Sequence, residues 1–345
     1  MRILSVQRIW NRAPHSAFTD LARFGDRWYC AFREGRAHAG QAGKVRVIAS
    51  DDARIWESVH LAAVRGTDLR DPKLSVTGDD RLMLLMGGTR ISNGEPVGRR
   101  PLAAFSTDGR IWSAPEPILS EGDWLWRADW RDGRAFGVSY RLKSKRTWEL
   151  DLFETGDGLN YRKVCVIPVR GKPNETTVRR DADGRMTALI RREGGDKMGL
   201  IGTSREPYTD WAFRSAGKRL GGPNFIILPD GSMAAGTRII RKNGKGGLVA
   251  RMGLGFLESG APEAPGRGGR GRGEGRRGEG GRGEGSRVGG DGGRGGGLSI
   301  NLELPSDGDC SYPGLVWFQD TLWVSYYSSH EGKASIYLAS VALRD

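Results

Sequence analysis

The chain has 345 residues, of which 37% are hydrophobic, with eleven tryptophans and a formal net charge of +13. Its three cysteines, Cys30, Cys165 and Cys310, are odd in number, far apart and without metal-ligand spacing, which excludes a disulfide scaffold and a thiolate zinc site. No run of eighteen apolar residues occurs and Met1-Arg-Ile-Leu-Ser-Val-Gln-Arg8 lacks an apolar signal core, so no membrane partner is expected and the expected location is cytoplasmic.

Along the chain one pattern recurs: a short apolar strand, a polar turn with Asp or Gly, a second apolar strand, then a third ending in a turn. Its first copies are Thr19-Asp-Leu-Ala-Arg-Phe-Gly-Asp-Arg-Trp-Tyr-Cys-Ala-Phe32 and Pro72-Lys-Leu-Ser-Val-Thr-Gly-Asp-Asp-Arg-Leu-Met-Leu-Leu85. Further copies run from Trp126 to Val138, Glu175 to Ile190, Asn224 to Gly236 and Tyr312 to Tyr326. Turn pairs such as Asp-Gly between alternating apolar runs signal hairpins, and no stretch shows a helical period. The copies start about 50 residues apart, apart from a delayed last one. Six such units of four short strands predict an all-β, six-bladed β-propeller, a single domain over 1–345.

The delay is caused by a tract at 260–297, half glycine, with eight arginines against five acids and almost nothing apolar. Such a segment buries too little surface to offset chain entropy and is expected to be disordered. It falls within the fifth unit where outer strands belong, so either blade five tolerates a long insertion or it lacks a strand. The tract carries +3 of the net charge, leaving about +10 on the rest, which suits anionic partners or a solvated basic surface. Gly/Arg segments also bind single-stranded RNA electrostatically, but this one has no aromatic residue and interspersed glutamates, so a nucleic-acid partner is not expected.

In a propeller the innermost strand of each blade points one end at the central channel, so residues distant in sequence converge there. The six mouths read Pro14-His15-Ser16, Asp68-Leu-Arg70-Asp71, Trp124-Leu-Trp126-Arg127, Asn174-Glu175, Gly222-Pro-Asn224 and Asp309-Cys-Ser-Tyr312. The ends of the second strands add Phe32-Arg33-Glu34-Gly-Arg36-Ala-His38, Tyr140-Arg141, Arg191-Arg192-Glu193, Arg238 and His330-Glu331. These make an arginine-rich, aromatic-lined pocket containing carboxylates.

Between hairpins lies Ser106-Thr-Asp-Gly-Arg-Ile-Trp112, with degraded copies at Ser50 to Trp56, Thr155 to Tyr161 and Thr203 to Trp211. The Asp caps its own tight turn, Gly supplies a positive φ and the aromatic wedges between strands. These turns resemble the Asp-box (BNR) repeats of the sialidase (neuraminidase) superfamily. The mouths extend the resemblance. Asn174-Glu175 followed sixteen positions later by Arg191 looks like the family segment pairing a Glu with a clamp arginine. Asp309-Cys-Ser-Tyr312 is similar to the segment bearing the tyrosine nucleophile, and Arg238 matches another clamp arginine. Ala31-Phe-Arg33-Glu-Gly-Arg36 looks like the family's Ala-Phe-x-Glu-x-Arg run, and Arg70-Asp71-Pro72 like its Asp-Pro.

The resemblance implies a glycoside hydrolase acting at the end of a glycan on a terminal acidic or modified sugar, with a carbohydrate as partner, no cofactor or metal, and a monomeric state. Tyr312 and Glu175 would be the nucleophile and its base, since a phenol titrates near ten and needs one. Arg12, His15, Asp20, Arg33, Arg36, Arg70, Trp126, Arg127, Arg191, Asn224, Arg238 and Glu331 would bind substrate. The sequence departs from the family twice. Arg12 comes several residues before the place of the first clamp arginine, where His15 to Ala17 stand. No carboxylate follows Arg36 until Asp51, so the acid/base is His38, Asp20 or Asp71. A non-catalytic carbohydrate-binding propeller that has lost its acid/base is the alternative.

Overall fold

The computed structural model describes residues 1–40, 43–244, 246–258 and 296–343. The disorder expected of the 260–297 tract concerns residues that lie outside these, Gly296 and Gly297 apart.

Alternating apolar runs separated by tight turns fold locally into antiparallel hairpins, and the chain forms six four-stranded sheets, with no helix among the described residues. Three of the hairpin turns, Asn93-Gly94, Asp132-Gly133 and Gln319-Asp320, have positive φ at both central residues. That is the geometry whose twist matches the strands it joins. The innermost strands of blades 1 to 6 are His15–Phe24, Thr67–Val76, Leu125–Arg131, Pro173–Arg180, Asn224–Ile227 and Cys310–Phe318. Blade 6 is completed by the N-terminal strand Arg2–Trp10, which pairs with Ser335–Ala342 and joins the two ends of the chain in one sheet. Blade 5 has its full four strands: the third ends at Leu257 and the fourth, Leu298–Leu304, pairs back onto it across the Gly/Arg tract.

The core lies between neighbouring blades. Val45, Val47 and Ala49 of blade 1 pack on Leu69, Leu74, Leu82 and Leu84 of blade 2. Between blades 5 and 6 the same layer is built from Met252, Leu254, Leu315, Val324 and Tyr326. Each large apolar side chain so buried stabilises the fold by about 1.5–3 kcal/mol relative to exposure.

Two features recur from blade to blade. At the outer rim, three turns share one hydrogen-bond pattern. The Asp52 Oδ1 accepts from the N–H groups of Arg54 and Ile55, Asp108 from Arg110 and Ile111, and Asp157 from Leu159 and Asn160, all at 2.8–2.9 Å. The left-handed residue that follows is Gly109 (φ 70°) or Gly158 (φ 79°), with Ala53 (φ 60°) in the first turn.

At the inner mouth, five of the six innermost strands carry a register shift at the same place, between Ala17 and Asp20, Arg70 and Lys73, Leu125 and Ala128, Pro173 and Thr176, and Ser311 and Gly314. A bulge inserts an extra residue and re-aims side chains. The displaced pairs are Phe18-Thr19, Asp71-Pro72, Trp126-Arg127, Asn174-Glu175 and Tyr312-Pro313. Three of these residues, Phe18, Asp71 and Tyr312, are non-glycine residues in the left-handed region, at φ 61°, 50° and 53°. Such conformations cost about 1–3 kcal/mol each and gather where a chain holds side chains for a purpose.

Candidate active site

The bulges bring the phenol and the glutamate together. The Tyr312 hydroxyl donates to Glu175 Oε1 at 2.6 Å although the residues are 137 positions apart. Arg191, at the end of the second strand of blade 4, lies 2.6 Å from the same oxygen, and its Nη1 is 3.4 Å from the phenol. The Gly222 N–H donates to Glu175 Oε2 at 2.9 Å. Gly222 is required twice over: its φ is 58°, and a Cβ there would stand 2.6 Å from the Tyr312 ring. The tyrosine ring is packed edge-on by Phe18 at 5.0 Å and Trp126 at 5.7 Å between centroids. The Asn224 Nδ2 donates to the Pro313 carbonyl and fixes the bulge from below.

Burial alone would raise the Glu175 carboxyl, but the Arg191 charge, the Tyr312 hydroxyl and the Gly222 N–H outweigh it and hold the carboxyl below its ordinary value. Burial, and then the charge on Glu175, pushes the Tyr312 phenol well above ten. The proton therefore rests on the phenol and the negative charge on the glutamate.

A third titratable group lies near this pair. Asp71, on the bulge of blade 2, is half-buried and close enough for its charge to act on Tyr312. Burial raises its carboxyl and Glu175 adds to the effect, against the pull of Lys73 and Arg70. Lys73 is buried beneath it, bonded to the Asp71 and Pro72 carbonyls and set 4.3 Å over the Trp126 ring. Burial brings its ammonium down to about 8 despite the attraction of Asp71. Asp71, Glu175 and Tyr312 come from blades 2, 4 and 6, while Phe18, Trp126 and Gly222 come from the blades between.

A second cluster adjoins the first. Asp309 Oδ2 is 3.1 Å from His15 Nε2 and 2.7 Å from His38 Nδ1, and Oδ1 accepts from the Tyr327 hydroxyl at 2.7 Å. Arg238 bonds the Cys310 carbonyl and the Tyr327 hydroxyl, approaches Asp309 Oδ1 to 3.8 Å and lies 5.8 Å from the Tyr312 ring. Burial would raise the Asp309 carboxyl, but hydrogen bonds from His15, His38 and Tyr327 drive it far below its ordinary value. His15, His38 and Asp309 offer ligand atoms within 4.8 Å of one another, the arrangement among the described residues that could hold a metal ion.

Of the residues singled out in the sequence, the structure gathers Tyr312, Glu175, Arg191, Arg238, Asp71, His15, His38 and Trp126 about the mouth. Others are engaged elsewhere. Arg33 is fully buried, its guanidinium bonded to Asp68 at 2.8 Å and to the Ala37 carbonyl. Asp20 and Arg127 form a buried pair at 2.7 Å, and Asp20 also caps the Leu74 N–H, so neither Asp20 nor Arg127 presents its charged group to a ligand. Asn224 is buried and positions Tyr312 from beneath. Arg70 reaches Thr89 and Asp68 and lies 5.3 Å from the Trp124 ring. Arg12 is exposed and stacks over Trp10, Arg36 is exposed in the loop after the second strand of blade 1, and Glu331 pairs with Arg8 at the surface. Sequence reasoning missed Phe18, Lys73 and Tyr327, and it gave Gly222 and Asp309 no role although both stand in mouth segments. Phe18 was hidden because only the bulge turns it inward.

No protein-family model matches the chain and no curated protein sequence matches it. Solved structures do. A protein of unknown function from Dyadobacter fermentans is similar with a TM-score of 0.74 at 16% identity, over 99% of both chains. A Trypanosoma rangeli sialidase in complex with sialic acid gives 0.64 at 12% identity, over 98% of this chain and 57% of that one, so this chain spans little more than half of that enzyme. An α-L-arabinofuranosidase from Fusarium graminearum, in complex with an iminosugar inhibitor, gives 0.63 at 13% identity, over 99% and 98%. At such identities the likeness establishes the fold, a six-bladed β-propeller of the architecture used by these two glycosidases.

Proposed function

We propose that the protein is a glycoside hydrolase that removes a terminal sugar bound at the channel mouth, using Tyr312 as nucleophile, Glu175 as its base and Asp71 as acid/base. The observation that carries the reading is the 2.6 Å hydrogen bond from a buried phenol to a carboxylate held ionised by Arg191 and Gly222. In the first step the Tyr312 oxygen bonds to the anomeric carbon as its proton passes to Glu175. The bond to the leaving oxygen breaks and that oxygen takes the proton of Asp71. In the second step Asp71 takes a proton from water, whose oxygen displaces the phenol, and Glu175 returns its proton to Tyr312. Two displacements retain the anomeric configuration. A Tyr–Glu pair spreads one negative charge over two residues, so the attacking atom is less repelled by an electron-rich anomeric centre than a carboxylate would be.

The glycosidase neighbours support a sugar-handling propeller, and the raised carboxyl of Asp71 supplies a proton donor beside the pair. A binding propeller without chemistry predicts no titratable group near Tyr312, whereas the charge of Asp71 acts on that phenol. The test is a panel of chromogenic glycosides, in both anomers and both ring sizes, offered to the wild type and to Tyr312→Phe and Glu175→Gln. Cleavage by the wild type with retained configuration, lost in both variants, is expected. Equal turnover by all three proteins would dismiss the assignment.

A further inference from the structure

We propose that the channel mouth carries its own carboxylate, Asp309, in its anion-binding position, and that the pocket therefore takes a terminal sugar with no carboxylate at the anomeric end. This rests on the reading of the mouth as a sugar site and specifies the substrate class. The geometry shows where an anion would settle. Two imidazoles, a phenol and a guanidinium converge beside the Tyr312 ring: His15, His38, Tyr327 and Arg238. His15, His38 and Tyr327 bond the two oxygens of Asp309, and Arg238 pairs with it at 3.8 Å; Asp309 stands three residues before Tyr312 at the entrance to the same strand. Its Oδ2 takes both imidazole nitrogens and its Oδ1 takes the phenol, so the donor set that would clamp an incoming carboxylate is already engaged.

The remaining guanidinium at the nucleophile is engaged too. Arg191 is bonded to Glu175 at 2.6 Å and also pairs with Glu193, a second carboxylate just beyond its own strand end. Arg219 closes on Glu193 from outside at 2.9 Å. A substrate carboxylate entering here would meet Asp309, Glu193 and Glu175 at close range with each nearby cation already neutralised, and like charges in a partly desolvated pocket repel strongly. Hydroxyl groups face no such penalty. The half-exposed His38 ring and the open edge of Asp71 offer them hydrogen-bonding partners.

This charge balance also explains why the basic character of the chain need not imply an acidic substrate. The arginines nearest Tyr312 are balanced within the pocket, and the excess positive charge lies elsewhere.

The experiment has two arms. In the first, the full-length protein is titrated calorimetrically with sodium N-acetylneuraminate, whose carboxylate sits on the anomeric carbon, alongside Asp309→Asn and Asp309→Ala. The wild type is expected to show no binding up to about 10 mM, a concentration at which even weak recognition would register. At least one variant that retains the wild-type melting profile is expected to gain tenfold or more. Wild-type binding at submillimolar concentration, or folded variants that gain nothing, would overturn the proposal. Should both variants unfold, the wild-type titration alone decides it. In the second arm, the wild type is offered neutral glycosides and a sialoside with the same chromophore. Faster cleavage of a neutral glycoside by tenfold or more supports the proposal. Preferential cleavage of the sialoside overturns it while leaving the glycosidase reading intact. Cleavage of none removes the glycosidase reading, and the binding arm still decides the charge of the ligand.

Discussion

The outer rim and the inner mouth of this propeller repeat in opposite ways. At the rim the same residue type returns in the same turn: Asp52, Asp108 and Asp157 each accept two backbone N–H groups, and a hydroxyl from Ser50, Ser106 or Thr155 meets the same oxygen. At the mouth the backbone device returns, a bulge at the start of the innermost strand, while the residue it presents changes from Phe18 to Asp71, Trp126, Glu175 and Tyr312. Carboxylates occur in both places. At the rim their partners are backbone groups two and three residues away, which any copy of the turn can supply. At the mouth the partners come from other blades, as when Glu175 meets Tyr312 and Gly222. A repeat that fixes the residue serves the fold, and a repeat that fixes only the backbone leaves the side chain available for chemistry.

Variants can separate the two regions, because mouth changes should alter rate and rim changes should alter melting. The largest effect is expected from Tyr312→Phe and Glu175→Gln, each lowering kcat by about 10³-fold or more with an unchanged melting profile. Asp71→Asn comes next, with a loss of about 10²–10⁴-fold. It also has a signature in pH. Asp71 must be protonated to donate, so activity falls as pH rises through its raised pKa, and that alkaline limb disappears in the variant. Glu175 must be ionised, so activity falls as pH drops through its lowered pKa, and that acid limb remains in Asp71→Asn. Initial rates measured across the pH range check both limbs.

A smaller effect, and one that crosses the boundary, is expected from Gly222→Ala. The added Cβ meets the Tyr312 ring at 2.6 Å on a backbone at φ 58°. It should cost about 1–2 kcal/mol of stability and displace the phenol, lowering kcat without a matching rise in KM. The smallest is Asp157→Ala at the rim. Although burial opposes it, bonds from the Asn160 side chain and from the N–H groups of Asn160 and Leu159 bring the Asp157 carboxyl down to about 2. Its contribution is present above the ordinary carboxylate range and is lost as pH falls through about 2. The variant should be less stable by about 1 kcal/mol at neutral pH, discounted for solvent screening, with unchanged kcat. A loss of activity matching that of the mouth variants would break the division between the two regions.

Much of the fold was legible because its rules are local. Asp132-Gly133 between alternating apolar runs specifies a hairpin whatever surrounds it, and six such hairpins at even spacing leave few ways to bury their apolar faces. Blade 5 was left open by the sequence, and the structure completes it: Leu298–Leu304 pairs with Leu248–Leu257 despite the long tract between them. The pairing of Glu175 with Tyr312 was also expected, from the resemblance of their two mouth segments to the sialidase superfamily. The arginines were less legible. Arg33 and Arg191 both lie at the ends of second strands, yet one is sealed against Asp68 and the other reaches Glu175 beside Tyr312, and nothing within either segment distinguishes them.

Strands, turns, the number of blades and the segments that reach the channel are all written in the order of the residues, because each depends on neighbours a few positions away. Which side chains meet at the channel is set by the closed ring of blades. A bulge turns Phe18 inward, the absence of a Cβ at Gly222 admits the Tyr312 ring, and Asp309 takes the donors of His15, His38 and Tyr327. Such contacts join residues far apart along the chain and exist only when the ring fixes their distances. Distance and burial then decide where a proton rests, and neither can be read from a linear order.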